Sequence, residues 1–167
     1  LSIRRQRQMC IRDRCLHSQE NSKDNYFLIV GDGTEYGKIE EFVKSSNQNN
    51  IRLMKRLPQE DYDTMVGACD VGMIFLDHRF TIPNFPSRVL SYMQAKIPVL
   101  ACTDPNTDIG KIIEEAGFGS WCESNDVNGF VECVNKIMQI QSVAEKEWNY
   151  LNKYYSCLLY TSDAADE

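Results

Sequence analysis

The sequence predicts an α/β fold: a doubly wound, Rossmann-like parallel sheet with helices on both faces. Five short apolar segments alternate with stretches in which apolar residues recur at helical spacing. The longer apolar segments are continuous rather than alternating, which is typical of strands that are buried on both faces. Short polar loops join the segments, as expected for parallel strands connected by crossover helices.

The elements follow one another in a regular order along the chain. Strands are predicted over residues 26–30, 51–54, 71–76, 99–101 and, more briefly, 120–122. Helices are predicted after Thr34, over 61–68, from Pro86, after Asp108, over 126–140 and over 144–155. Thr34 and Asp108 are expected to cap their helices, and Pro86 suits the first turn of a helix.

Composition places limits on function. The chain has 167 residues and a net charge of -6, which argues against general binding of nucleic acids. No apolar run reaches the roughly 18 residues of a membrane span, and no secretory signal is visible. Seven cysteines without a Cys-x-x-Cys pair argue against a zinc site and suit a reducing cytosol. We therefore expect a cytoplasmic protein without a metal or a resident cofactor.

The two ends of the chain differ in character from the rest. When residues 157–167 are back-translated, the reverse complement in a shifted frame encodes the stretch from Arg4 to Asp13. This shared sequence resembles a transposon-based sequencing adapter. We interpret residues 1–14 and 157–167 as adapter-derived and residues 15–156 as a natural internal segment, which leaves the acidic charge balance in place. Resequencing the locus with another library chemistry tests this interpretation.

A segment from Asn84 to Ala101 predicts a ligand site. It reads as a loop, a short helix and a buried strand, with Arg88 in the first turn of the helix. The free N–H groups and the dipole of a helix N-terminus favour a phosphate-bearing ligand. In open α/β sheets ligands bind at the carboxyl ends of the strands, and this helix begins there. Asp77, His78 and Arg79 follow a buried strand at the same edge and are candidates to line a cleft.

Four segments in order resemble a known family. They are residues 27–33, 51–58, 68–76 and 86–101, which include the Gly31-Asp-Gly33 turn and the Pro86-Ser-Arg88 helix start. The chain resembles the C-terminal, donor-binding half of GT-B glycosyltransferases of the retaining family 4, above all transferases of capsule and O-antigen assembly. The likeness covers about residues 26–140. It implies one domain of a two-domain GT-B fold, with the N-terminal domain missing.

The resemblance implies roles for seven residues in binding a nucleotide diphosphate sugar. They are Gly31 and Gly33 near the diphosphate, Arg56 and Leu57 beside the base, and Ser87, Arg88 and Ser91 at the diphosphate and ribose. Many family members carry two glutamates with seven residues between them. Pro83 and Ser91 stand at those places, so we expect a Pro-Ser-Arg version of the helix without the ribose-binding glutamate.

The expected function is therefore transfer of a sugar from a nucleotide diphosphate sugar to a cell-surface polysaccharide or lipid-linked acceptor. The catalytic residues are unknown, and we expect the isolated segment to be inactive without its N-terminal domain. Peripheral contact of the parent protein with the inner face of the membrane is a further option. Two alternatives remain: a nucleotide-sugar epimerase domain and a self-contained Rossmann-like ligand-binding module. The loop histidine His78 is a further candidate, for the role of a general base.

Overall fold

The computed structural model describes residues 25–46, 49–79 and 85–155. Strands and helices alternate through these residues, as the sequence predicts. The strands are β1 (Phe27–Val30), β2 (Ile51–Met54), β3 (Gly72–Phe75), β4 (Val99–Thr103) and β5 (Gly119–Glu123). The helices are α1 (Tyr36–Ser45), α2 (Gln59–Gly67), α3 (Arg88–Ala95), α4 (Ile109–Ala116), α5 (Val127–Ile137) and α6 (Val143–Tyr155). The predicted adapter residues lie outside the described part of the chain.

All strand pairs in the described residues are parallel. β1 pairs with β2, starting from Phe27 opposite Ile51, while β4 lies between β3 and β5. The hydrogen bonds therefore divide the strands into two sheets, where the sequence suggests a single one. β1 and β3 are not hydrogen-bonded to each other within the described part. The α/β class with parallel strands is confirmed.

Two apolar clusters cover the two faces of β4. Val99 and Ala101 belong to the first cluster, while Leu100 and Cys102 belong to the second. This alternation follows from the period of two along a strand. The first cluster collects side chains of α2, α3, α4 and α6, and the second collects side chains of α1 and α5 together with β1 and β2. Helices on both faces confirm the doubly wound arrangement.

Two of the predicted helix caps, Thr34 and Asp108, are wrong. Glu35 rather than Thr34 precedes α1, and neither the Glu35 nor the Asp108 side chain caps its helix by a hydrogen bond. Asp108 has αR backbone angles, whereas a capping residue normally has extended angles that direct its side chain at the free N–H groups. Asp126 has such angles, and its carboxylate accepts a hydrogen bond from Gly129 N–H at 2.9 Å.

The ends of α3 and α4 provide a paired stability prediction. Each helix ends on a left-handed residue, Lys96 with φ 59° and Gly117 with φ 73°. A side chain in this region costs about 1 kcal/mol relative to glycine. We expect Lys96→Gly to raise the free energy of unfolding by about this amount and Gly117→Ala to lower it similarly. Urea titrations of both variants check the two signs, and changes of the same sign would contradict the backbone argument.

Candidate active site at the carboxyl ends of the strands

The first part of the candidate site lies at the ends of β1 and β2. The N–H of Gly31 donates to the carbonyl of Met54 at 3.1 Å, so the loop after β1 starts beside the end of β2. Arg56 is exposed and Leu57 is half-buried in the residues that follow. The residues predicted to bind the diphosphate and the base in the first two loops therefore lie together at the carboxyl ends of β1 and β2.

The two glycines after β1 are not required by the fold. Neither Gly31 nor Gly33 has a positive φ, and an added Cβ would meet no atom within 4 Å at either position. A turn conformation therefore does not explain them. What they provide is open space and accessible backbone at the end of a strand, which is where a ligand of this fold class approaches.

Helix α3 supplies the second part of the candidate site. Ser87 occupies the N-cap position, but its side chain makes no capping hydrogen bond. Arg88 is exposed and has no ion pair with any other described residue. Ser91 follows one turn later and is half-buried. Since residues three and four apart share a helix face, these three side chains form one polar surface at the N-terminus of α3.

Tight packing on β3 holds α3 in place. The Tyr92 ring lies against Gly72, where an added Cβ would overlap the ring. The Tyr92 hydroxyl donates to the carbonyl of Met73 at 3.1 Å, and burial raises the pKa of this phenol. Val89 and Met93 are fully buried on the same side of the helix. The first turn with Arg88 is therefore fixed relative to the sheet.

Asp77 organises the residues that follow β3. Its carboxylate is almost fully buried and accepts three hydrogen bonds from Arg79, from the backbone N–H at 3.0 Å and from Nε and Nη2 at 3.1 Å each. Burial alone would raise the pKa of Asp77, but the hydrogen bonds and charge of Arg79 outweigh it and lower the pKa. The sequence places these residues at the cleft, but the burial of Asp77 has no sequence signal.

The end of β4 is held by internal hydrogen bonds. Asp104 is fully buried and accepts from Asn106 N–H at 2.9 Å and from the Thr107 hydroxyl at 2.7 Å. The Thr103 hydroxyl accepts from the Trp121 indole N–H at 2.9 Å. Sequence reasoning missed Asp104, although Asp-Pro-Asn-Thr is a typical turn pattern in which an aspartate bonds the backbone two residues on. The hydrogen bonds of these side chains stabilise the loop after β4.

The sequence-predicted residues thus form two groups, one at the ends of β1 and β2 and one on the first turns of α3. A groove lies elsewhere, between α4 and α5 beside β5, and contains none of the predicted residues. No cluster of three or more metal-binding side chains occurs within the described ranges. None of the helices in those ranges is both long and apolar enough to cross a bilayer.

A domain of parallel strands with helices on both faces is Rossmann-like in its fold. Residues 15–154 match the family described as glycosyl transferases group 1, and the chain belongs to this family. A probable glycosyltransferase of Pseudomonas aeruginosa, WbjE, is 26% identical over 114 residues. An uncharacterized glycosyltransferase of Methanocaldococcus jannaschii is 25% identical over 122 residues.

Each alignment covers a larger share of this chain than of the relative. They include 68% and 70% of this chain, but only 28% and 31% of the respective relatives. The chain therefore spans about a third of the length of either relative.

Proposed function

We propose that the chain is the donor-binding half of a GT-B glycosyltransferase of the retaining family 4. Its substrate is a nucleotide diphosphate sugar, and the sugar goes to a polysaccharide or lipid-linked acceptor at the cytoplasmic side of the membrane. The observation that carries the proposal is the exposed Arg88 on the first turn of α3, at the carboxyl end of a parallel sheet, which forms no ion pair with any described residue. The order of motifs along the chain supports the donor and acceptor classes.

The chemistry follows from the charge that develops during sugar transfer. Cleavage of the anomeric C–O bond leaves negative charge on the departing diphosphate. The Arg88 guanidinium and the positive end of the α3 dipole would stabilise this charge, whereas the N–H groups of Val89 and Leu90 already donate to the carbonyls of Pro86 and Ser87. Ser87 and Ser91 add hydroxyl groups on the same face, which can bond to phosphate or ribose oxygens. Positioning of the acceptor falls to the N-terminal domain.

The glycines after β1 provide the test. We expect Gly33→Ala to weaken the binding of uridine or guanosine diphosphate at least threefold, because its methyl group enters the space proposed for the diphosphate. The free energy of unfolding should change by no more than about 0.5 kcal/mol, since no protein atom contacts the new methyl group. Isothermal titration and urea unfolding of the same preparation measure the two quantities.

Gly67→Ala is the matched control. Gly67 is the last residue of α2 and lies near the amino ends of the strands, away from the candidate site. An added Cβ at Gly67 also meets no atom within 4 Å. We expect this variant to bind nucleoside diphosphates as the unchanged chain does. Equal affinity of the Gly33→Ala variant and the control, or no binding by the unchanged chain, would contradict the proposed site.

A further inference from the structure

Three cysteine side chains meet where β4, β5 and α5 pack together. Cys102 and Cys122 are directly opposite each other in the register of β4 and β5, and their sulfur atoms are 3.5 Å apart. Cys133 on α5 is hydrogen-bonded to Cys122, and its thiol donates to the carbonyl of Trp121 at 3.2 Å. All three belong to the second apolar cluster, and all three are thiols rather than disulfides. The candidate donor site uses none of them.

The groove between α4 and α5 gives solvent access to one end of this thiol cluster. Cys122 and Cys133 line the groove and are 6% and 9% exposed, whereas Cys102 is fully buried beside Cys122. The charged side chains of the groove are four carboxylates and one ammonium group, those of Glu114, Glu123, Asp126, Glu132 and Lys136. This negative lining disfavours an anionic oxidant such as glutathione disulfide and admits an uncharged one such as hydrogen peroxide.

The two thiols at the groove differ in how readily they lose a proton. A hydrogen bond with Cys122, burial and the charge of Cys122 all raise the pKa of the Cys133 thiol. Cys133 therefore keeps its proton while Cys122 gives its own up first. Since the thiolate is the form of cysteine that attacks an oxidant, Cys122 is the thiol of the groove that reacts.

The positions of Cys102 and Cys122 suit a disulfide bond. Adjacent strands lie about 4.8 Å apart, so the Cα atoms of residues directly opposite each other fall within the roughly 4.4–6.8 Å that a disulfide spans. The two sulfur atoms are already in contact at 3.5 Å, so the bond requires only a small movement of the side chains. A bond from Cys122 to Cys133 would instead break the hydrogen bond between Cys133 and the Trp121 carbonyl.

We propose that Cys102 and Cys122 are a peroxide-sensitive thiol pair that forms a disulfide bond between β4 and β5. The Cys122 thiolate attacks one oxygen of hydrogen peroxide, the O–O bond breaks, and the other oxygen leaves as hydroxide, which takes up the proton released by Cys122. The sulfur of Cys102 then displaces the hydroxyl group of the Cys122 sulfenic acid, which leaves with the Cys102 proton as water. The two thiols lose two electrons, and the peroxide is reduced to two molecules of water.

Peptide mapping of the whole chain after treatment with hydrogen peroxide tests this pair. The remaining thiols are alkylated in denaturant before digestion with trypsin. Trypsin separates residues 97–111, which contain Cys102, from residues 112–136, which contain Cys122 and Cys133. We expect the two peptides to be joined in the treated chain, with the loss of two hydrogen atoms, and to separate again on addition of dithiothreitol.

Two variants and an internal control identify the sulfur atoms that react. Cys133→Ser should still form the link between the two peptides, whereas Cys102→Ala should not, and circular dichroism checks that both variants are folded. Cys69 is the internal control, because its thiol donates to a carbonyl at 3.3 Å and packs against the other apolar cluster. It should be alkylated to the same extent with and without peroxide.

Three results would overturn the proposal. The first is a treated chain in which the two peptides stay separate. The second is a disulfide within residues 112–136, because it would assign the reaction to Cys133 in place of Cys102. The third is an equal yield of the link when the chain is treated in urea, because the folded register of β4 and β5 would then not select the pair.

Discussion

Gly119→Ala is expected to destabilise the chain by about 3 kcal/mol or more, because it places a methyl group against backbone that cannot move aside. Gly119 is the first residue of β5 and is buried opposite Val99 in the register of β4 and β5. An added Cβ at this position would overlap the Val99 carbonyl oxygen. The overlap is relieved only if β5 separates from β4, which would also disturb the packing of Phe118 below it.

Urea unfolding followed by circular dichroism measures this loss. Gly67→Ala is again the control, because it has open space at Cβ and lies at the end of a helix, where alanine is the better residue. The control should retain or slightly raise the free energy of unfolding. If Gly119→Ala were as stable as this control, the close approach of β4 and β5 would be wrong.

Glu147 makes the protein less stable as the pH rises. It lies on the inner side of α6, is fully buried, and has no hydrogen-bond partner for either carboxylate oxygen among the described residues. Burial raises the pKa of Glu147 to about 8. Between the ordinary glutamate pKa and this value, the folded state holds a proton that the unfolded state has lost. The stability conferred by Glu147 is therefore complete at low pH and decreases as the pH rises towards 8.

The pH dependence of the free energy of unfolding, and its loss when Glu147 is replaced, are both measurable. We expect the free energy of unfolding to fall by up to about 1.4 kcal/mol per pH unit between roughly pH 5 and 8 on account of this one group. Glu147→Met should remove that slope and stabilise the protein by about 2–3 kcal/mol near pH 7, because an apolar side chain of similar size needs no proton there. Denaturant unfolding of both proteins across this pH range measures the difference.

Glu145→Gln is the control for the charge of α6. Glu145 is exposed on the first turn of the same helix, so its removal should leave the pH dependence unchanged. A Glu147→Met protein with the pH dependence of the unchanged chain would show that the carboxyl group is not buried as the structure has it.

The pattern of apolar segments predicts most of the architecture. β1 and β4 are found where continuous apolar runs occur, because strands buried on both faces need apolar side chains at successive positions. Helix boundaries are less well predicted, and α5 ends at Ile137 although the apolar spacing continues to Ile140. Spacing identifies which face of a helix is apolar, but the last turn depends on local hydrogen bonds that spacing does not encode.

The features missed by sequence reasoning depend on contacts between distant parts of the chain. Glu147 stands among charged residues in a polar stretch, so its burial becomes visible only once α6 lies on α3 and α4. The close approach of Gly119 to Val99 likewise needs the register of two strands. The candidate site is different, because the roles of Arg88, Ser87 and the glycines are predicted from the resemblance of four ordered segments to a family. Their placement at strand ends follows from topology, whereas the burial of Asp77 beside them became visible only in the folded geometry.

The most direct test of the donor site compares two cation-to-alanine variants by isothermal titration with uridine and guanosine diphosphates. Arg88→Ala removes the proposed diphosphate contact, and Lys44→Ala removes an exposed cation from the last turn of α1, at the opposite edge of the sheet. Since a hydrogen bond to a charged group contributes about 1.5–3 kcal/mol, Arg88→Ala should weaken binding roughly tenfold to hundredfold while Lys44→Ala leaves it unchanged. Equal affinities of the unchanged chain and both variants would contradict a donor diphosphate at the start of α3.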